Sequence, residues 1–150
     1  MKQAKASDWK TKPLPVQRTT IFFDRSFTSQ EMERIQAGLI PEQMEDKWFI
    51  YWNEDRLFFH RSWTGFCVYM VKFTNKNGSY KIVEVDVNRD SEQYSETSDK
   101  HDELMVTYLI DALLLQKDSD FPYKEQDPEK EAISKWSQVG RAMLGEHPKQ

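Results

Sequence analysis

Two short segments hold most of the chemistry-bearing side chains in this chain: His60-Arg61-Ser62-Trp63-Thr64-Gly65 and Asn88-Arg89-Asp90. Arg61 and Arg89 are the residue type that binds phosphate or carboxylate through two parallel hydrogen bonds. Ser62 and Thr64 add hydroxyl donors, and Gly65 lets a ligand approach the backbone. Trp63, and Trp48 upstream, offer faces on which a base or another ring can stack. His60 is the one acid/base group here that titrates near neutrality without perturbation. An anion joined to an aromatic ring, such as a nucleotide or other phosphorylated small molecule, satisfies the whole set. In a plainer structural alternative Trp63 caps the core, Arg61 pairs with Asp90, and the two hydroxyls serve the turn.

The two segments meet only if the intervening chain folds back on itself. Four strand-like runs follow one another at Lys47–Trp52, Arg56–Ser62, Phe66–Thr74 and Ser79–Asn88. The gaps between them, Asn53-Glu54-Asp55, Trp63-Thr64-Gly65 and Asn75-Lys76-Asn77-Gly78, are long enough only for hairpins, so the strands form an antiparallel meander. Three-residue loops put Val71 opposite Val83, Tyr69 opposite Val85 and Cys67 opposite Val87. They also put Phe59 opposite Tyr69, Leu57 opposite Val71, Tyr51 opposite Leu57 and Phe49 opposite Phe59. One face then carries the odd-numbered residues, because side chains alternate along a strand. The even face carries Trp48, Ile50, Trp52, Phe58, His60, Val68, Met70, Ile82, Glu84 and Asp86. The first or last helix covers it, or it is an open aromatic surface for a ligand or protein partner. At one end of this meander the expected ligand-binding set is Trp48, His60, Arg61, Ser62, Trp63, Thr64, Asn88, Arg89 and Asp90.

The flanking segments supply helices. Thr28-Ser29-Gln30-Glu31 is a capping box, followed by Met32, Ile35 and Leu39 at helical spacing and by Gly38 and Pro41 as stops. A second helix runs from Ser98 or Asp99 to about Gln116 and is apolar on most sides, which predicts burial. Asp127-Pro128 opens a third, with Ile133, Trp136, Met143 and Leu144 on one stripe and Gly145 as its stop. Thr19–Phe23 reads as an added N-terminal edge strand. The expected fold is α+β, a four-stranded antiparallel meander with that extra edge strand, packed against two to three helices. Residues 1–17 form an extended arm, 18–145 the domain and 146–150 a tail.

Composition narrows the function classes. The chain has 150 residues, 13% of them aromatic, a single cysteine and a net charge of −4. One cysteine excludes an intrachain disulfide and a thiolate zinc cluster, and it suits a reducing, cytoplasmic setting. No apolar run reaches transmembrane length. Residues 1–28 are net positive and the rest is acidic. An acidic body does not suit general nucleic-acid binding, but it does suit an immunity- or inhibitor-type protein that meets a basic partner. The three histidines lack metal-ligand spacing, and no phosphate-binding glycine loop or cofactor motif is present. As an enzyme, the protein would use His60 as general acid/base, oriented by Asp86 or Asp90.

Lys47-Trp48-Phe49-Ile50-Tyr51, His60–Gly65 and Asn88-Arg89-Asp90 together resemble a set of small bacterial proteins over about residues 44–116. The resemblance implies a self-contained bacterial domain and carries over no catalytic residue.

Overall fold

A computed structural model describes residues 3–117. The expected last helix after Asp127-Pro128 lies outside them. The chain is α+β, with a five-stranded antiparallel sheet in the order β1-β5-β4-β3-β2. The strands are β1 (Arg18–Phe27), β2 (Trp48–Asn53), β3 (Arg56–Arg61), β4 (Cys67–Lys76) and β5 (Ser79–Asn88). The last four make the meander. β1, twice as long as the edge strand read from sequence, pairs with β5 from Arg18↔Asn88 to Phe27↔Tyr80.

Helix α1 (Ser29–Ala37) starts on the expected capping box: the Thr28 hydroxyl accepts from Glu31 N, and the Glu31 carboxylate accepts from Thr28 N. It ends at Gly38, whose φ of +72° carries the chain away and lets Leu39 pair with Ile50. Helix α2 (Asp99–Leu109) is capped by the Ser98 side chain, and a π-helical turn, Ile110–Leu114, extends it. Asp111 interrupts the apolar run of that turn and binds Arg25 of β1 through both carboxylate oxygens, at 2.6 and 3.3 Å. Both helices bury their side chains, Met32 and Ile35 of α1 and Met105, Val106 and Leu109 of α2, in one cluster on one face of the sheet.

The turns set which residues reach that face. Asn53 pairs with Arg56, so Glu54-Asp55 is a two-residue turn with both φ angles positive, 51° and 63°. Such a turn matches the twist of the strands it joins. It moves β2 by one residue from the three-residue expectation, and one residue reverses the faces. Trp48, Ile50 and Trp52 therefore enter the core, while Phe49 and Tyr51 point the other way. Asn77-Gly78 is likewise a two-residue turn, since Lys76 pairs with Ser79. An irregularity between Lys72 and Phe73 leaves Val83 as an extra residue on β5, so Val71 meets Val85 and Tyr69 meets Val87. The β3–β4 pairs Leu57↔Val71 and Phe59↔Tyr69 are those expected from sequence. Past them, Val68 is the extra residue, and His60 pairs with Cys67. Val68 and Ile82 join the core, so they leave the even-numbered set; Cys67 joins His60 on the opposite face instead of the core.

Residues 4–15 cross the molecule as extended chain interrupted by one 3-10 turn at Ala6–Asp8, and donors and acceptors along their length tie them down. Ala4 N donates to Ala37 O at 2.8 Å, Trp9 Nε1 to Ser62 O at 2.7 Å and Lys12 N to Gly65 O at 2.8 Å. Arg18 holds the carbonyls of Leu14 and Pro15, each at 2.7 Å.

Candidate functional site

The hairpin after β3 is built by its own hydrogen bonds. Gly65 sits at φ +81° and its N–H donates to Arg61 O. The Thr64 hydroxyl accepts from Phe66 N at 3.2 Å, and the Ser62 hydroxyl donates to Asp46 O at 2.6 Å. The two hydroxyls expected to contact a ligand thus serve the turn and its neighbour. Trp63 is 56% exposed, donates through Nε1 to Met44 O and carries the Lys47 ammonium 3.9 Å above its ring. Trp48 is not a stacking surface for a ligand. It is 1% exposed, stacked on Tyr69 at 6.1 Å, and covered by the Arg61 guanidinium 4.8 Å above its ring.

Strand pairing does bring Asn88-Arg89-Asp90 to this end of the sheet, but these residues hold the fold. Asn88 is fully buried and donates to Cys67 O and to Gln93 Oε1 while accepting from Asp90 N. Arg89 binds the buried Asp102 at 2.5 Å and Asp99 at 2.9 Å. Asp102 also accepts from the Tyr94 and Tyr69 hydroxyls, at 2.7 and 3.3 Å. Burial pushes the Asp102 carboxyl up, and these donors pull it back toward the charged form. Asp90 caps the following turn and accepts from Glu92 N. Arg89, Asn88 and Asp90 therefore leave the ligand set. What remains on that side is a recess of about 390 Å3 walled by Lys47, Arg61, Trp63, Thr64 and their neighbours.

His60 faces away from this recess. It is 2% exposed and lies on the sheet face opposite the helices, its ring 5.6 Å from that of Tyr51 at 17°, 6.2 Å from Phe49 and 6.5 Å from Phe58. Nδ1 lies 2.9 Å from Gly65 O. A carbonyl only accepts, so Nδ1 carries the proton and the neutral ring keeps a lone pair on Nε2. That Nε2 is buried and has no hydrogen-bond partner. Burial lowers the His60 pKa below its ordinary value, with the Gly65 bond opposing, so neutral solution keeps the ring uncharged. Among the described residues no carboxylate bonds the ring. Asp86 instead accepts from the Thr20 hydroxyl at 2.7 Å and faces Lys72 at 3.4 Å.

His60 lines a cavity of about 480 Å3 that the sequence did not reveal. Its floor is sheet: Tyr51, Phe58, His60, Cys67 and Met70. Its other wall is the extended N-terminal segment, Thr11, Lys12, Pro13 and Leu14, together with Arg18. Among the described residues the lining holds two cations, Lys12 and Arg18, and Arg18 also lies 4.0 Å from the Asp86 carboxylate. Burial pushes the Cys67 thiol up to about 12, so it stays protonated and acts as an apolar wall. Sequence signals for this cavity existed in Lys12-Pro13-Leu14-Pro15, a stretch pre-set for extended backbone, and in the alternation of β2, once its turn is read as two residues. Among the described residues no three His, Cys, Asp or Glu side chains gather as metal ligands, and no helix is long and apolar enough to cross a membrane. No family model, curated protein or solved structure matches the chain.

Proposed function

We propose that this protein is a binding domain for an anionic, ring-bearing small molecule of nucleotide type, held in the cavity on the sheet face opposite the described helices. The observation that carries this is the cavity's described lining, where an aromatic floor around His60 meets two cations, Lys12 and Arg18, the second of them 4.0 Å from the Asp86 carboxylate at its outer side-chain end. A planar ring fits the floor of Tyr51, Phe58 and His60, and its phosphate or carboxylate fits the cationic wall. The volume falls within the range of ordinary ligand pockets, which are mostly apolar with a few placed polar groups. The hairpin remains part of the site, through His60 and the Gly65 carbonyl that orients it, but the site is one sheet face away from Arg61. Within the acidic body that suits a basic protein partner, Asp99 and Asp102 are already paired with Arg89.

A ligand that binds only the folded state raises its melting temperature. Ligand at a hundredfold excess over its dissociation constant stabilises by about 2.7 kcal/mol, which for a domain of this size is a shift of roughly 5–10 °C. A thermal-shift panel of nucleoside monophosphates, nucleoside diphosphates and aromatic carboxylates is expected to contain such a ligand. Lys12→Met, which keeps the backbone bond to Gly65, is expected to reduce that shift. A panel without a single responding compound overturns the proposal.

A further inference from the structure

The function just proposed asks only for a ring and a negative charge; the state of His60 asks for more. Its Nδ1 proton is engaged by Gly65 O, which does not line the cavity. The opposite edge of the ring carries Nε2, a buried lone pair that no donor among the described residues satisfies. A buried acceptor left without a donor is destabilising, and native structures rarely retain one without a role. Tyr51 and Phe58 hold the ring in its plane, so the lone pair has a set direction. The cavity's other polar side chains are donors, namely Lys12, Arg18 and the hydroxyls of Thr11 and Tyr51, and the hydroxyls can also accept. Among the described residues lining the cavity, His60 alone carries a side-chain nitrogen that only accepts.

We infer that His60 is the specificity-determining residue of this cavity, and that its ligand is a ring anion whose ring edge carries an N–H or O–H group to donate to His60 Nε2. This rests on the proposed function and sharpens it. The phosphate or carboxylate end is recognised by charge, while the ring end is recognised by one hydrogen bond of fixed polarity. A site built around a buried polar group rejects analogues that leave it unpaired far more strongly than an apolar site rejects a small change in shape.

The test compares matched ligands that differ only in that donor. Inosine 5′-monophosphate is paired with its 1-methyl derivative, uridine 5′-monophosphate with its 3-methyl derivative, and adenosine 5′-monophosphate with its N6,N6-dimethyl derivative. Calorimetry on the full chain is expected to show, for the parent that binds best, a loss of about tenfold or more on methylation, the scale of one hydrogen bond to a buried group. In His60→Phe, which keeps an aromatic ring of similar outline, that difference is expected to fall below about twofold, since the clash of the added methyl is retained and only the acceptor is gone. The imidazole nitrogen resonances of the wild-type protein give a second readout that needs no variant. Nε2 should move from the lone-pair position toward the hydrogen-bonded one when the parent binds, and stay in place with the methylated partner. Equal affinity within every pair, or discrimination that survives in His60→Phe, overturns the role of His60 and leaves the binding function standing. Absence of binding by every nucleotide at millimolar concentration overturns this inference, and absence of binding by the aromatic carboxylates as well overturns the binding function itself.

Discussion

At the scale of single residues, His60 shows how a side chain can be legible as a type and not as a role. Its candidacy rested on its ordinary pKa near neutrality. Burial lowers that pKa in the folded chain, so the unfolded chain binds the proton more readily. Its contribution to stability is therefore complete above the unfolded value of about 6.5 and is lost as pH falls through the lower folded value. The charged and titratable groups around it in the cavity are Lys12 and Arg18, with Tyr51 and Cys67, both pushed up by burial. Burial thus keeps the Tyr51 and Cys67 side chains uncharged between pH 5.5 and 7.5. The urea midpoint of the wild-type protein is expected to drop on acidification over that range, and His60→Phe should flatten the dependence. An equal slope in both proteins would show that the ring is not held neutral by its surroundings. Arg89 makes the complementary point. Its side chain suits phosphate, but the buried Asp102 carboxylate in the first turn of α2 claims it first.

At the scale of elements, the outcome turns on loops of two residues. Asn77-Gly78 carries the strongest short signature for such a turn, and reading Lys76-Asn77-Gly78 as one loop passes over it. Glu54-Asp55 carries no such signature, because two non-glycine residues with positive φ are uncommon. The β3–β4 register was legible because Leu57, Phe59, Tyr69 and Val71 alternate cleanly. The extra residues Val68 and Val83 were not, since valine fits a strand on either face. Gly38 is the element-level position with the least tolerance. At φ +72° and ψ −159° it occupies a region open essentially to glycine alone, and a Cβ there would collide with the carbonyl of Ile50. Gly38→Ala is expected to destabilise the fold by about 2–3 kcal/mol, read as a lower urea midpoint with unchanged slope. A cost under about 0.5 kcal/mol would mean that α1 and β2 do not meet there as described.

At the scale of the whole molecule, the sheet divides two kinds of work. One face packs both described helices into the core. The other is roofed in part by the extended N-terminal segment, held at Ala4, Trp9, Lys12 and Arg18. Local stability is lowest where few apolar contacts hold a segment, so the roof should loosen without the domain unfolding. Trp9→Ala removes the bond to Ser62 O. It is expected to speed tryptic cleavage after Lys10 several-fold, to leave the main melting transition within a few degrees, and to weaken ligand binding in step with the cleavage. Faster cleavage with unchanged affinity would separate this segment from the site.

The amino-acid sequence by itself determined the α+β class, the antiparallel meander, the two capped helices and the hairpin on which the site is built. Those features rest on capping residues, turn residues and short-range alternation, all of which act between neighbours in the chain. Only the tertiary structure decided which face of the sheet each strand shows, that Trp48 and Arg89 belong to the fold, and that His60 shares a cavity with Lys12 and Arg18. Faces are set by the dihedral angles of two-residue turns and by single extra residues. A cavity between residues more than forty apart exists only once β1 has joined the sheet beside β5 and the segment before it lies across the finished sheet.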